Sequence, residues 1–152
     1  MKITMIGAQK PISKAQINSL EKLIGKLLPE DYSAFLIRYN CGYPEPNIFS
    51  YLYNGKRYQS DIAGLLGFDN EDEDNIIDYI ENYKNRIPSG LLPIAYDSSG
   101  NLVCISLNPN TFGSIYFWDH ENEYDDGVTP GYRNVYLIAH SFDEFLSGLR
   151  TS

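Results

Sequence analysis

Pro29 falls between two stretches that each carry a helical apolar stripe, so the chain must open with two short helices instead of one long one. Upstream, Ser13 with Gln16 makes a capping box, and Ile12 is placed to staple onto Ile17. Ile17, Leu20, Ile24, Leu27 and Leu28 continue that stripe. Downstream, Pro29 opens the second helix, because its missing N–H would have had no partner there anyway. Tyr32, Phe35, Leu36 and Tyr39 then recur at i, i+3, i+4 and i+7, on one face. Asn40-Cys41-Gly42 stops the helix, and Gly42 is expected to supply the left-handed residue.

Strand signals follow. Ile48–Tyr53 and Lys56–Leu66 flank Asn54-Gly55, a dipeptide suited to a type I′ hairpin turn. Pro44 and Pro46 punctuate the stretch before them, which reads as loop. A third helix is expected over Glu71–Arg86, with Ile76, Ile77, Ile80 and Tyr83 inward. Strands are expected at Leu92–Tyr96, Asn101–Leu107, Gly113–Trp118 and Asn134–Ala139. Asp97-Ser98-Ser99-Gly100 reads as the turn between the first two, since Asp and Ser bond their own backbone and Gly accepts positive φ. Ser141 with Glu144 caps a last helix that buries Phe142, Phe145, Leu146 and Leu149. Segregated helices and hairpin-linked strands predict an α+β single domain over residues 1–152, mainly antiparallel sheet flanked by about four α-helices.

Composition narrows the partners. The formal charge is -8, which argues against direct nucleic-acid binding, because phosphate backbones demand clustered Lys and Arg. It favours a basic partner or simple solubility. The two cysteines lack metal-ligand spacing and fit a reduced, cytoplasmic protein. Met1–Lys10 has no apolar signal-peptide core, and no stretch approaches transmembrane length, so no membrane partner is expected.

Leu28–Gly42 resembles the leucine-proline, tyrosine, phenylalanine-leucine, asparagine-glycine-glycine helix of the SUKH superfamily. That superfamily includes the yeast cell-wall glucan-synthesis regulator and many bacterial toxin-immunity proteins. Leu92-Pro93-Ile94-Ala95 with Asp97, Gly100 and the strand through Leu107 is similar to its central hairpin. Gly113–Glu121 resembles its strand ending in Trp-Asp-His-Glu, and Ala139–Leu146 its closing Ser-Phe-x-x-Phe-Leu helix. Cys41 stands where the family often has glycine. The resemblance implies a helix-flanked sheet that works by binding proteins, with toxin neutralisation the commonest proposed bacterial role.

Half of the chain's twenty carboxylates sit in two clusters. Asp69 and Glu71–Asp74 are accounted for by the positive end of a helix dipole, with Lys84 and Arg86 near its other end. The second cluster lies in a long loop between apolar strands, from about Asp119 to Arg133. Loops of that length in compact domains are often functional or disordered. Asp119, Glu121, Glu123, Asp125 and Asp126, with Tyr124 and Tyr132, are the candidate partner-binding residues. A solvated excursion is the plain alternative. Tyr51 and Tyr53 share a strand face opposite Leu52, and Phe117 and Trp118 point to opposite faces; packed core accounts for most such aromatics, and an exposed patch would mark a partner site.

No catalytic, cofactor or metal set emerges. The EF-hand pattern puts Asp74 and Ile80, or Tyr124 and Pro130, where Gly and Glu belong. Asp119-His120-Glu121 lacks the second His of HExxH, Tyr124 standing in its place. The leading reading is therefore a non-catalytic protein that neutralises a basic toxin, plausibly a nuclease. The rivals are a scaffold for cell-wall synthesis or signalling, and an enzyme assembled from His120, His140 and nearby carboxylates.

Overall fold

The computed structural model describes residues 3–69 and 73–151. Asn70, Glu71 and Asp72 of the first acidic cluster, and with them the expected start of the third helix, lie outside the described residues. The chain runs β1 (Thr4–Ile6), α1 (Lys14–Ile24), α2 (Glu30–Arg38), β2 (Tyr43–Glu45), β3 (Ile48–Tyr53), β4 (Lys56–Asp61), β5 (Gly64–Leu65), α3 (Ile76–Asn82), β6 (Leu91–Tyr96), β7 (Leu102–Ser106), β8 (Ile115–Trp118), β9 (Val135–Ala139) and α4 (Phe142–Ser147). Strands β5-β6-β7-β8-β9 form one antiparallel sheet in sequence order, while β1-β2 and β3-β4 are separate antiparallel pairs. This is the expected α+β architecture, with four α-helices among the described residues.

Local chemistry sets the helix ends. Ser13 accepts from the Gln16 N–H while Gln16 reaches back to the Ser13 N–H, closing the capping box of α1. Ser141 accepts from the Glu144 N–H at α4. A second N-terminal N–H of that helix, from Asp143, donates to Asp31 at 3.0 Å, so α2 caps its neighbour as well as packing on it. The end of α2 differs from expectation. Gly42 does take a positive φ (141°), but Asn40 is the residue in the left-handed helical conformation, at φ 61°. Its buried side chain explains why: Oδ1 accepts from the Phe68 N–H at 2.8 Å and Nδ2 donates to the Phe68 carbonyl at 2.7 Å. One amide thus satisfies both polar groups of a distant residue, and Asn tolerates left-handed φ where most side chains do not.

Four elements depart from the sequence expectation, the first being β1 (Thr4–Ile6), which precedes the helices expected to open the chain. Residues 43–45 form a strand despite Pro44, because β2 pairs only with β1 and an edge position tolerates a missing N–H. The expected strand Lys56–Leu66 divides, since Ala63 and Leu66 turn their N–H groups to Tyr96 and Ile94 of the main sheet. Gly64 permits the crossing; a Cβ there would collide with the Tyr96 hydroxyl. The helix expected over Glu71–Arg86 is described only from Ile76 to Asn82, where the Asn75 side chain caps the Ile77 N–H. By contrast, the Asn54-Gly55 turn forms as expected, with φ of 51° and 77°, and joins β3 to β4 in the register Tyr53↔Lys56.

The central strands of the five-stranded sheet are buried on both faces. Val103, Ile105, Ile115 and Phe117 meet Ile17, Leu20, Phe35, Leu36, Phe142 and Phe145 on the inner side. Leu91, Leu102, Cys104 and Trp118 form the outer side, under Tyr79, Tyr83 and Ile87. Phe117 and Trp118 therefore do point to opposite faces, and both are core. Pro93 is accommodated in a central strand by the bulge between Pro93 and Ala95. No helix among the described residues is long and apolar enough to cross a membrane.

Candidate protein-binding surface

The segment between β8 and β9 is pinned at both ends. Asp119 N–H donates to the Asn134 carbonyl and Asn134 Nδ2 to the Asp119 carbonyl, each at 3.0 Å, which ties the two ends of the loop together. The Asp119 carboxylate caps a single-turn 3-10 helix, His120–Asn122, accepting from the Glu121 N–H at 3.0 Å and from Asn122 Nδ2 at 2.6 Å. His120 N–H donates to Asn101 Oδ1, and Asn101 Nδ2 donates to Asp97 Oδ2 at 2.8 Å. Asp97 is 4% exposed, yet its charge is satisfied: it also accepts from the Ser99 and Asn101 N–H groups and from the Ser60 hydroxyl. The 97–100 segment is thus the side-chain-stabilised turn its residues predict, and Ser60 and Asp61 fasten it to the hairpin.

Two arginines hold the middle of the loop. Arg86 makes a bidentate pair with Glu123 (2.9 and 3.1 Å) while its guanidinium lies 4.5 Å above Tyr83 and 5.9 Å from the Trp118 ring. The hydrogen bonds to Glu123 raise the Arg86 pKa further above its usual value. Arg133 lies 4.0 Å over the Tyr124 ring and donates to the Asn122 and Glu123 carbonyls. Of the seven candidate residues, Asp119, Glu123 and Tyr124 therefore build the loop. Glu121, Asp125 and Asp126 face solvent. Tyr132 is half-exposed, and its hydroxyl accepts from Asn108, beyond the far end of β7.

Beside the loop lies a surface only partly foreseen. Tyr51 stacks on Phe117 (centroids 4.3 Å, 17°), and Tyr58 and Tyr136 stack on Tyr51 at 5.9 and 5.6 Å. Tyr53 meets Tyr136 edge-on at 5.2 Å. Tyr53 and Tyr58 remain 43% and 41% exposed, so this is a surface and not core. Burial first and then the charge of Asp119 raise the Tyr51 pKa above the ordinary value; burial, Tyr53 and Asp119 do so for Tyr136. Asp119 thus lies within electrostatic reach of the tyrosine face. Sequence reasoning placed Tyr51 and Tyr53 together but missed Tyr58, although a two-residue turn at 54–55 dictates the Tyr51↔Tyr58 pairing.

The histidines do not converge. His120 follows β8 at the Trp118↔Val135 end of that pair, and His140 follows β9 at the Ile115↔Ala139 end. The four-residue strand alone separates them by about 10 Å at roughly 3.3 Å per residue. Among the described residues no three His, Cys, Asp or Glu side chains gather as a metal site requires. In the first acidic cluster, Asp69 accepts from Gln16 of α1 and Asp74 from the Tyr96 hydroxyl at 2.8 Å. Those two carboxylates tie elements together instead of simply facing a helix end. Cys41 and Cys104 are buried thiols; burial pushes the Cys104 thiol well up.

Two comparisons relate the chain to known proteins. The sequence pattern of the SMI1 / KNR4 family (SUKH-1) matches residues 11–148. An uncharacterized SPbeta prophage-derived protein, YokK of Bacillus subtilis (strain 168), is 32% identical over 149 aligned residues, covering 88% of this chain and 72% of that protein.

Proposed function

The chain belongs to the SMI1/KNR4 family (SUKH-1), and from that premise we propose that it is a non-catalytic binding protein that neutralises a cognate bacterial toxin domain. The observation that carries this reading beyond the family is the loop of residues 119–133. Its base is fixed by the Asp119–Asn134 and Arg86–Glu123 contacts, while Glu121, Asp125 and Asp126 are held out in solvent. A preorganised acidic projection lowers the ordering cost of docking and steers a basic partner toward it. A toxin that handles nucleic acid must carry positive charge to hold its substrate, and is thereby complementary. A prophage-derived relative fits a role in conflict between mobile elements and their hosts. Such a binder acts by covering the toxin's active site or by holding it in an inactive shape, and needs no chemistry of its own.

The test is co-purification with the toxin-domain protein encoded beside its gene, followed by titration of toxin activity. Stoichiometric capture with loss of activity is expected. Folded protein that neither captures nor inhibits that toxin overturns the immunity role, and favours a scaffold in cell-wall synthesis or signalling.

A further inference from the structure

Three of the chain's five arginines lie against an aromatic ring. Arg86 is seated on the Tyr83 ring with the Glu123 carboxylate closing over it, Arg133 lies on Tyr124, and Arg38 lies 5.0 Å from the Tyr39 ring. A guanidinium suits such a seat because it is planar, weakly hydrated and able to fork onto a carboxylate while stacking on a ring. The tyrosine face beside the loop has the same components in greater number. Tyr51, Tyr53, Tyr58 and Tyr136 form a continuous run of rings 5.2 to 6.1 Å apart. The β8–β9 register sets Tyr136 opposite Phe117, two residues before Asp119, and Ser60, two residues beyond Tyr58, donates to Asp97. Carboxylates therefore border the rings at the loop end of the sheet. Among the described residues, the arginine–ring contacts fall on Tyr39, Tyr83, Trp118 and Tyr124, and none falls on these four rings.

We propose that Tyr53 and Tyr58, backed by Tyr51 and Tyr136 and bordered by Asp119, seat an arginine side chain presented by the protein partner. The biological partner rests on the toxin-binding reading above; the chemistry of the seat does not. Charge complementarity selects the occupant, because Asp119 is hydrogen-bonded by neutral donors alone, and a cation on the rings gains from that nearby carboxylate where an apolar side chain gains nothing. Arginine is favoured over lysine, whose compact and strongly hydrated ammonium cannot lie flat on a ring. Lys56, across the hairpin from Tyr53, shares this face on an exposed and flexible stem and is the native competitor.

The probe is the capped peptide acetyl-Gly-Arg-Gly-amide, titrated into the full chain carrying carbon-13 labelled tyrosine rings and followed by NMR. Expected are saturable shifts at Tyr53 and Tyr58, weaker for the lysine peptide and absent for the citrulline peptide, which keeps the shape without the charge. Tyr53→Leu/Tyr58→Leu keeps apolar bulk in the hairpin and should abolish saturation, with far-UV circular dichroism confirming the fold. Asp119→Asn, which keeps an acceptor for the Glu121 N–H, should weaken binding several-fold. Equal shifts with citrulline, or shifts confined to other rings in the wild-type chain, overturn the seat without any variant. Toxin capture with no arginine response refutes the seat alone; an arginine response with no toxin capture upholds the seat and refutes the immunity role.

Discussion

Tyr32 is fully buried against Phe35 and Phe142, and its hydroxyl has no hydrogen-bond partner among the described residues. Burial pushes its pKa far above the ordinary tyrosine value, so the folded chain keeps the proton that the unfolded chain releases near pH 10. The sign follows from proton counting. Stability from this group is intact below about pH 10 and falls as pH rises beyond it, because there the unfolded state binds fewer protons. Tyr79, pushed up to about 12 by burial and then by Asp74, adds a loss of the same sign between about 10 and 12. Tyr32→Phe removes a desolvated hydroxyl at little cost in packing. Its urea midpoint should equal or exceed that of the native protein at neutral pH and decline less steeply above about pH 10. An unfolding free energy lowered by more than about 1 kcal/mol at neutral pH would show that the hydroxyl is bonded after all.

At the scale of elements, what could be read in the sequence is what short-range chemistry decides. Ser13 and Ser141 mark their helices, and Asn54-Gly55 fixes both a turn and the pairing across it. Pairings set by distant chain were not readable. Nothing local to Pro44 announces that β1 will come to lie beside it, and nothing in Lys56–Leu66 announces the crossing to Tyr96. The loop shows the same divide: its acidic content is plain, yet which carboxylate Arg86 would claim depends on where α3 ends. That pair is partly exposed, so its loss should cost folding less than about 1 kcal/mol. Arg86→Ala is nevertheless expected to raise amide hydrogen exchange at residues 121–124 while leaving the β6–β8 amides protected. Unchanged exchange in the loop would mean that Arg133 and Asn134 hold it without help.

For the molecule as a whole, net charge and the placement of its carboxylates govern encounter more than stability. Glu123 is committed to Arg86, so the residues to reverse are Glu121, Asp125 and Asp126. Replacing these three by Lys should slow association with the proposed basic partner on the order of tenfold at low salt, and the deficit should shrink as salt screens it. Stopped-flow rates across an ionic-strength series measure this, and an unaltered rate removes the loop from the encounter surface. The distribution of anchors has a last consequence. Asp119, Glu123, Tyr124, Arg133 and Asn134 fasten the flanks of the loop, whereas its tip is closed by a single turn from Val128 N–H to the Asp125 carbonyl. Substitutions at the tip leave every one of those fastenings untouched. That short stretch can therefore change its chemistry while the same folded body stands beneath it.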